Sequence, residues 1–304
     1  MRVTVSDVVS PSYFVATAAV ELGFFEGEGV DAEFVHPPVD VPEALRDGAL
    51  DFVGASPYGS LSAFPGWRGG KILCALSHFT YWFVAVRADL HAKRGDINAL
   101  KGLRISAAPR VGLTLKRLLE EAGMDMERDN VRIVPPPPHD HTASWARQGA
   151  QAIEEGLADG FWGNGMRVAY AERKGLATLL LDIRRGDGPP AARMYTFPAL
   201  VTSERLIAEH PEAAAGAVRA IVKTQQALKA DPSLAVKAAR RLFPSEELEM
   251  VSDLIARDAP FYDPTVTEEM IAKATEFARN IGQLTEPVSY ERAVATQFRE
   301  LWKG

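Results

Sequence analysis

The sequence predicts an α/β protein of two lobes with a helical C-terminal tail. Strand-like and helix-like segments alternate in one series from Arg2 to about residue 88 and in a second from about residue 100. That alternation is the signature of α/β folds. Beyond Ser203 the pattern is almost wholly helical. The 304 residues exceed the usual size of a single domain. With 47% hydrophobic and 24% charged residues, the composition is that of an ordinary globular chain with a sizeable core.

In the first series, RVTVSD (2–7) reads as a strand. Residues 12–22 read as a helix with Tyr13, Ala16, Thr17 and Val20 on one face, and the glycines at 23, 27 and 29 stop and turn it. DAEFV (31–35) alternates as a strand, and VPEALRDGAL (41–50) is a short helix with Pro42 near its start. DFVGA (51–55) is a buried strand, and SPYGSLSAF (56–64) begins a helix. KILCALS (71–77) and YWFVAVR (81–87) are two more strands, parted by His78, Phe79 and Thr80.

In the second series, LRISAA (103–108) is a strand and LTLKRLLEEAG (113–123) an amphipathic helix ending at Gly123. VRIVPPPP (131–138) is a strand running into proline, and 142–160 is helical. FWGNG (161–165) is a very short strand and turn, 166–175 a helix, and ATLLLDI (177–183) a strand. MYTFPALVTS (194–203) returns as a strand, and helices follow over 204–230, 233–243, 246–258, 267–281 and 288–302. The chain is expected to cross between lobes near 87–103 and near 190–198. Lobe I is then 1–88 with 196–304, and lobe II is 89–195. No Gly/Ser-rich linker separates them, and no short-period repeat is present.

The formal net charge of −6, with Lys and Arg scattered among acids, excludes the basic stripe of a nucleic-acid binder. The single cysteine, Cys74, permits no disulfide within the chain and reads as a buried strand thiol. No run of 18 uncharged apolar residues marks a membrane span. The N-terminus lacks a signal-peptide pattern. The expectation is a periplasmic protein if a signal peptide has been removed, and a cytoplasmic one if Met1 is the native start.

Ligands of open α/β sheets bind outside the carboxyl ends of the strands, so the strand-to-helix turns carry the candidate residues. Ser10, Ser12 and Tyr13 follow the first strand; Ser56 and Tyr58 follow the third. In each turn helix capping alone is one reading and ligand contact in addition is the other; in the first, capping explains one serine but does not require the second or the tyrosine. Arg110 and Thr114 lie in AAPRVGLT (107–114), where a guanidinium could grip a carboxylate, sulfonate or phosphate. The alternative for Arg110 is a plain surface charge. Trp162 and Asn164 in FWGNGM (161–166) offer an apolar wall and an amide, or else a core tryptophan with a tight turn.

His78 lies between two strands, and either lines the cleft or is a satisfied buried histidine. His139-Asp140-His141 invites a metal reading, but no further ligands stand at metal-site spacing. A loop cap with His139 reaching the ligand is preferred, and no metal or cofactor is expected. No nucleophile elbow, dinucleotide fingerprint or phosphate loop occurs, and Glu154-Glu155 read as a solvated helix face.

Four segments in order resemble a known family. ELGFFEGEGVDAEFV places Gly23, Phe24, Phe25, Gly29 and Val30 as they stand in solute-binding proteins for sulfonates, nitrate, taurine and pyrimidine precursors. EALRDGALDFVGASP, with Gly48 and Asp51, is similar to the next element of that family. LKGLRISAAPRVG resembles the strand entering its second lobe. AIEEGLADGFWG resembles a later helix-to-strand step, with Gly160 where alanine is common. The resemblance spans about residues 1–230 and implies the two-lobe periplasmic-binding-protein type II fold, with a ligand cleft between the lobes and hinge closure. It implies a substrate-binding component of an ABC-type uptake system that works with a transporter permease. Its desulfinase relatives use a cysteine in the turn after the first strand, where Ser10 stands here, and a cysteine-rich run of pyrimidine synthases is absent. Decarboxylases of dihydroxyphthalate are also similar.

The leading expectation is therefore a binding protein for a small anionic or aromatic molecule, monomeric or weakly dimeric. The alternative is a cytoplasmic enzyme on the same scaffold, a decarboxylase- or desulfinase-like lyase or hydrolase. The histidines supply its acid–base groups.

Overall fold

The computed structural model describes residues 1–138 and 145–304. These residues divide into two compact units: unit 1 is Met1–Phe79, Met194–Leu242 and Val251–Gly304, and unit 2 is Thr80–Arg193 with Phe243–Met250.

Unit 1 is built on a sheet of β1 (Arg2–Val5), β2 (Glu33–Phe34), β3 (Phe52–Ala55), β4 (Gly70–Ala75) and β10 (Ala199–Ser203), in the order β2-β1-β3-β10-β4. β1, β2 and β3 are parallel, and β10 runs antiparallel between β3 and β4. β3 and β10 are buried throughout, as the continuous apolar runs of strands covered on both faces require. Helices α1 (Phe14–Glu21), α2 (Phe24–Gly27), α3 (Val41–Arg46) and α4 (Pro57–Ser60) connect the early strands.

Unit 2 holds β5 (Phe83–Arg87), β6 (Arg104–Ser106), β7 (Arg132–Val134), β8 (Gly160–Gly163) and β9 (Ala177–Asp182), in the order β7-β6-β8-β5-β9. β5 runs antiparallel to both its neighbours, and β6, β7 and β8 are parallel. Its helices are α5 (Pro109–Glu121), α6 (Gln148–Glu154) and α7 (Gly165–Arg173). After β10 come α8 (Glu204–Glu209), α9 (Pro211–Ala230), α10 (Leu234–Ala239), α11 (Ser245–Asp258), α12 (Glu268–Asn280) and α13 (Tyr290–Ala293), the predicted helical tail.

Several boundaries differ from the sequence expectation for local reasons. The helix expected over 204–230 breaks at His210, because Pro211 disfavours helical dihedrals at the residue before it and instead opens α9. The strand expected from Met194 begins only at Ala199, after a 3-10 turn over Pro190–Met194 and after Pro198, which has no N–H for a ladder. The expected strand 81–87 starts at Phe83, leaving Tyr81 and Trp82 ahead of it. The last predicted helix, 288–302, becomes α13, a bridge of Val294 to Ile72, and a 3-10 helix over Thr296–Lys303.

α9 is the long helix of unit 1. It packs on α1 and α2, and Gln225, buried in its inner face, donates from Nε2 to the carbonyls of Ala75 (3.1 Å) and Leu76 (2.9 Å) at the end of β4. Cys74 is wholly buried in β4, and burial pushes its thiol pKa up, so it is no nucleophile. Among the described residues no helix is long and apolar enough to cross a membrane, and no cluster of three or more His, Cys, Asp or Glu side chains is placed to hold a metal.

In unit 2 the β5–β8 contact leaves no room for a side chain at Gly160: a Cβ there would lie 2.6 Å from the carbonyl oxygen of Ala85 and 3.0 Å from Val86 Cγ1. This accounts for glycine where alanine is common in the family it resembles. At the amino-terminal ends of β6 and β8, Arg104 clamps Asp159. Its backbone N, Nε and Nη2 donate to the carboxylate at 2.9, 3.0 and 3.1 Å, and Arg87 stands 3.8 Å away.

Two outcomes follow. Gly160→Ala lowers stability by about 1–3 kcal/mol, the usual cost of overpacking; an unchanged denaturation midpoint would refute the close approach. The hydrogen bonds from Arg104 hold the Asp159 carboxyl below its ordinary pKa of 3.8, against an opposing effect of burial. A carboxyl depressed on folding stabilises in full above the unfolded pKa, and that stability is lost as pH falls through the folded value. Asp159→Asn is therefore less stable than the parent at pH 7, and the gap narrows below about pH 4. A gap independent of pH in urea titrations would count against the clamp.

Candidate functional site

Each unit gathers its candidate residues at one edge of its sheet. In unit 1 the strand directions put the carboxyl ends of β1, β3 and β4 and the amino end of β10 together: Val5 pairs with Gly54, and Ala199 with both Ala55 and Ala75. That edge carries the turns of Ser10, Ser12 and Tyr13, of Ser56 and Tyr58, and of His78, with Tyr195 and Thr196 entering from the β10 side.

Neither Ser10 nor Ser12 caps α1. Tyr13 occupies the position before the helix, and no side chain caps it. Ser12 Oγ donates to Asp258 Oδ2 at 3.2 Å, while Tyr262 Oη donates to the Pro11 carbonyl at 3.2 Å. Ser10 is 1% exposed, and its hydroxyl has no hydrogen-bond partner among the described residues. The Thr17 hydroxyl in α1 is likewise buried and unpaired. A buried hydroxyl without a partner costs about 1–3 kcal/mol, which a ligand or water at the site recovers.

Ser56 does cap: its Oγ accepts from Gly59 N at 3.1 Å. The Tyr58 ring meets Phe277 edge-on at 5.6 Å, and Phe277 stacks on Tyr195 at 4.7 Å, so α12 props an aromatic cluster at this edge. His78 Nε2 lies 2.9 Å from the Thr265 carbonyl, and that contact requires the proton on Nε2. Asp263 Oδ1 is 3.6 Å from the same nitrogen.

In unit 2 the corresponding edge carries the carboxyl ends of β6, β7 and β8 and the amino end of β5. Thr114 and Trp162 are brought together. Trp162 Nε1 donates to Thr114 Oγ1 at 2.9 Å, and that hydroxyl donates to the Val111 carbonyl at 2.5 Å. Both side chains are buried, so the threonine fixes the indole. Asn164, also buried, caps α7 by accepting from Met166 N (3.0 Å) and Arg167 N (3.1 Å). Arg110 sits exposed on the first turn of α5. His139, with Asp140 and His141, lies outside the described residues.

The edge also holds groups that the sequence did not single out. Trp82, ahead of β5, stacks on Trp162 with ring centroids 6.2 Å apart and planes 21° apart. Trp82 is 7% exposed, and its indole N–H has no partner among the described residues. Beside Trp162 opens a shallow recess. It is walled by Ala107, Ala108, Pro136, Gly149 and Phe161, with Ser106, Gln148 and Arg167 as its polar members. A Cβ at Gly149 would meet the Phe161 ring at 2.8 Å, so glycine there keeps the wall in place. The sequence holds a signal that could find Arg167: it falls three residues after Asn164, on the first turn of a helix, where the macrodipole disfavours a cation. Nothing in the pattern marked Trp82, because periodicity does not reveal that β5 runs antiparallel.

By sequence alone, no curated protein matches the chain. Solved structures do match in fold. The alkanesulfonate-binding protein SsuA from Xanthomonas axonopodis pv. citri, bound to MOPS, aligns with a TM-score of 0.69 at 16% identity over 97% of each chain. The periplasmic nitrate-binding protein NrtA from Synechocystis PCC 6803 aligns at 0.65 and 14% identity, over 99% of this chain and 86% of that one. The desulfurization enzyme DSZB aligns at 0.66 and 16% identity, over 98% and 97%. The α/β fold is thus that of the periplasmic binding proteins, shared with at least one enzyme. Residues 10–235 match the family described as NMT1/THI5 like, and the chain belongs to that family.

Proposed function

We propose that this protein is the solute-binding component of an ABC-type uptake system, acting in the periplasm, and that it takes a small anionic or aromatic organic molecule. Membership of the NMT1/THI5-like family supports a binding role, as does the fold shared with sulfonate- and nitrate-binding proteins. The observation that carries the reading is the pair of sheet edges. Each gathers aromatic side chains beside a buried donor that has no partner among the described residues: Ser10 in unit 1, and Trp82 and Arg167 Nε in unit 2. Folded chains satisfy buried polar groups, and such groups clustered at strand ends mark a site that a ligand completes. Within unit 1 the candidate contacts are Ser10, Tyr13 and Tyr58, and within unit 2 the candidate is Trp162. The buried Cys74, together with serine in the turn after β1, favours binding over thiol chemistry.

A thermal-shift screen over sulfonates, aromatic acids, pyrimidines and amines, followed by calorimetry, tests this. A ligand present at 100 times its Kd adds about 2.7 kcal/mol to stability, a shift of several degrees at this size. The expected result is saturable one-to-one binding, with the compound recovered unchanged. A bound compound recovered as product would place the chain among the enzymes of this fold instead.

A further inference from the structure

Among the described residues, the unit 2 recess presents positive charge with no acid to balance it. Arg167 is half-buried, its Nε is fully buried without a hydrogen-bond partner, and it makes no ion pair among the described residues. The other lining residues are uncharged. Three helices begin here, α5 after Ala108, α6 at Gln148 and α7 after Asn164, and none has an acid in its first turn. α5 also lacks a side-chain cap. Arg167 therefore stands against the positive end of its own helix, a placement that costs stability unless an anion offsets it. A second donor lies one stack away: the unpartnered indole N–H of Trp82, packed on the Trp162 that walls the recess. As it stands the recess is a shallow one with room for a group of a few atoms rather than for a whole organic molecule.

Resting on the binding function proposed above, we propose that this recess seats the acidic group of an organic acid, a carboxylate or sulfonate, and that Arg167 is the residue that selects acids over their uncharged analogues. A planar guanidinium offers an oxyanion two donors side by side. The walls of Phe161 and Trp162 exclude water around that pair, which strengthens it. Arg110, exposed on the first turn of α5, works in high dielectric and contributes little.

Calorimetry with matched pairs tests this: benzoate against benzamide, and benzenesulfonate against benzenesulfonamide, each with the parent chain, Arg167→Gln, Arg167→Lys and Arg110→Gln. Circular dichroism confirms that each variant is folded. The parent is expected to prefer each acid by about 10- to 100-fold, the range of a charge-assisted pair. Arg167→Gln reduces that preference to about threefold or less. Arg167→Lys, which keeps the charge without the fork, falls between. Arg110→Gln stays within about twofold of the parent. A preference that survives in folded Arg167→Gln overturns the assignment. So does equal binding of acid and amide, or failure of both acids to bind. In the last case, binding of an uncharged compound leaves the solute-binding reading standing, whereas silence across the wider screen removes both.

Discussion

The antiparallel return of β10 between β3 and β4 is the constraint on which the rest of the chain depends. It pairs Ala199 with Ala75, so the chain re-enters the first sheet beside the point where it left. Leu76 N bonds the Pro198 carbonyl at 2.8 Å, and at the start and end of the inserted segment Thr80 N bonds the Arg193 carbonyl at 2.9 Å. An insertion of this size tethered at adjacent points folds as its own unit, and the cost of closing it grows only slowly with length. β5 repeats the device in unit 2, antiparallel within an otherwise parallel sheet. Both reversals add a strand beginning to an edge made of strand ends. That is how Tyr195 and Thr196 come to share an edge with Ser10, and Trp82 with Trp162.

What the sequence made legible follows from this. Runs such as VTV, FVGA and ILCA are apolar because both faces of their strands are covered, and α5 shows its amphipathic stripe plainly; such patterns are local. Direction is not local, and neither reversed strand announces itself. The turns after strands were legible as places, but less so the division of labour within them. Ser12 was open between cap and contact and is instead tied to Asp258, 246 positions away. Thr114 and Trp162 were read as separate contacts and turn out to be donor and acceptor to each other. Arg110 was read for its charge and stands exposed, while Arg167 lies in the recess. A residue's partners come from elements distant in the chain, and a single sequence does not order them.

The two ends of the unit 2 sheet obey different electrostatic rules. At the amino-terminal end of β6 and β8, charges are closed: Arg104 is forked onto Asp159, and Lys101 and Arg128 flank Asp129 at 3.3 and 2.8 Å. At the other end donors are left open. Satisfied pairs add rigidity where nothing needs to bind, and unsatisfied ones raise the free energy of the empty site. Binding energy is then gained partly by relieving a deficit already present in the fold.

The burial of Cys74 bears on how this chain could be watched in motion. The only thiol sits wholly buried on β4, the last strand of the first sheet, with its ionisation suppressed and Leu200 of β10 paired opposite it. A thiol reagent therefore reaches it only when the packing around β4 opens. The native cysteine is a built-in clock for opening of the first sheet. Because it stays silent while the sheet is closed, a reporter cysteine placed on any exposed turn would be labelled alone, with the wild-type core left as it is.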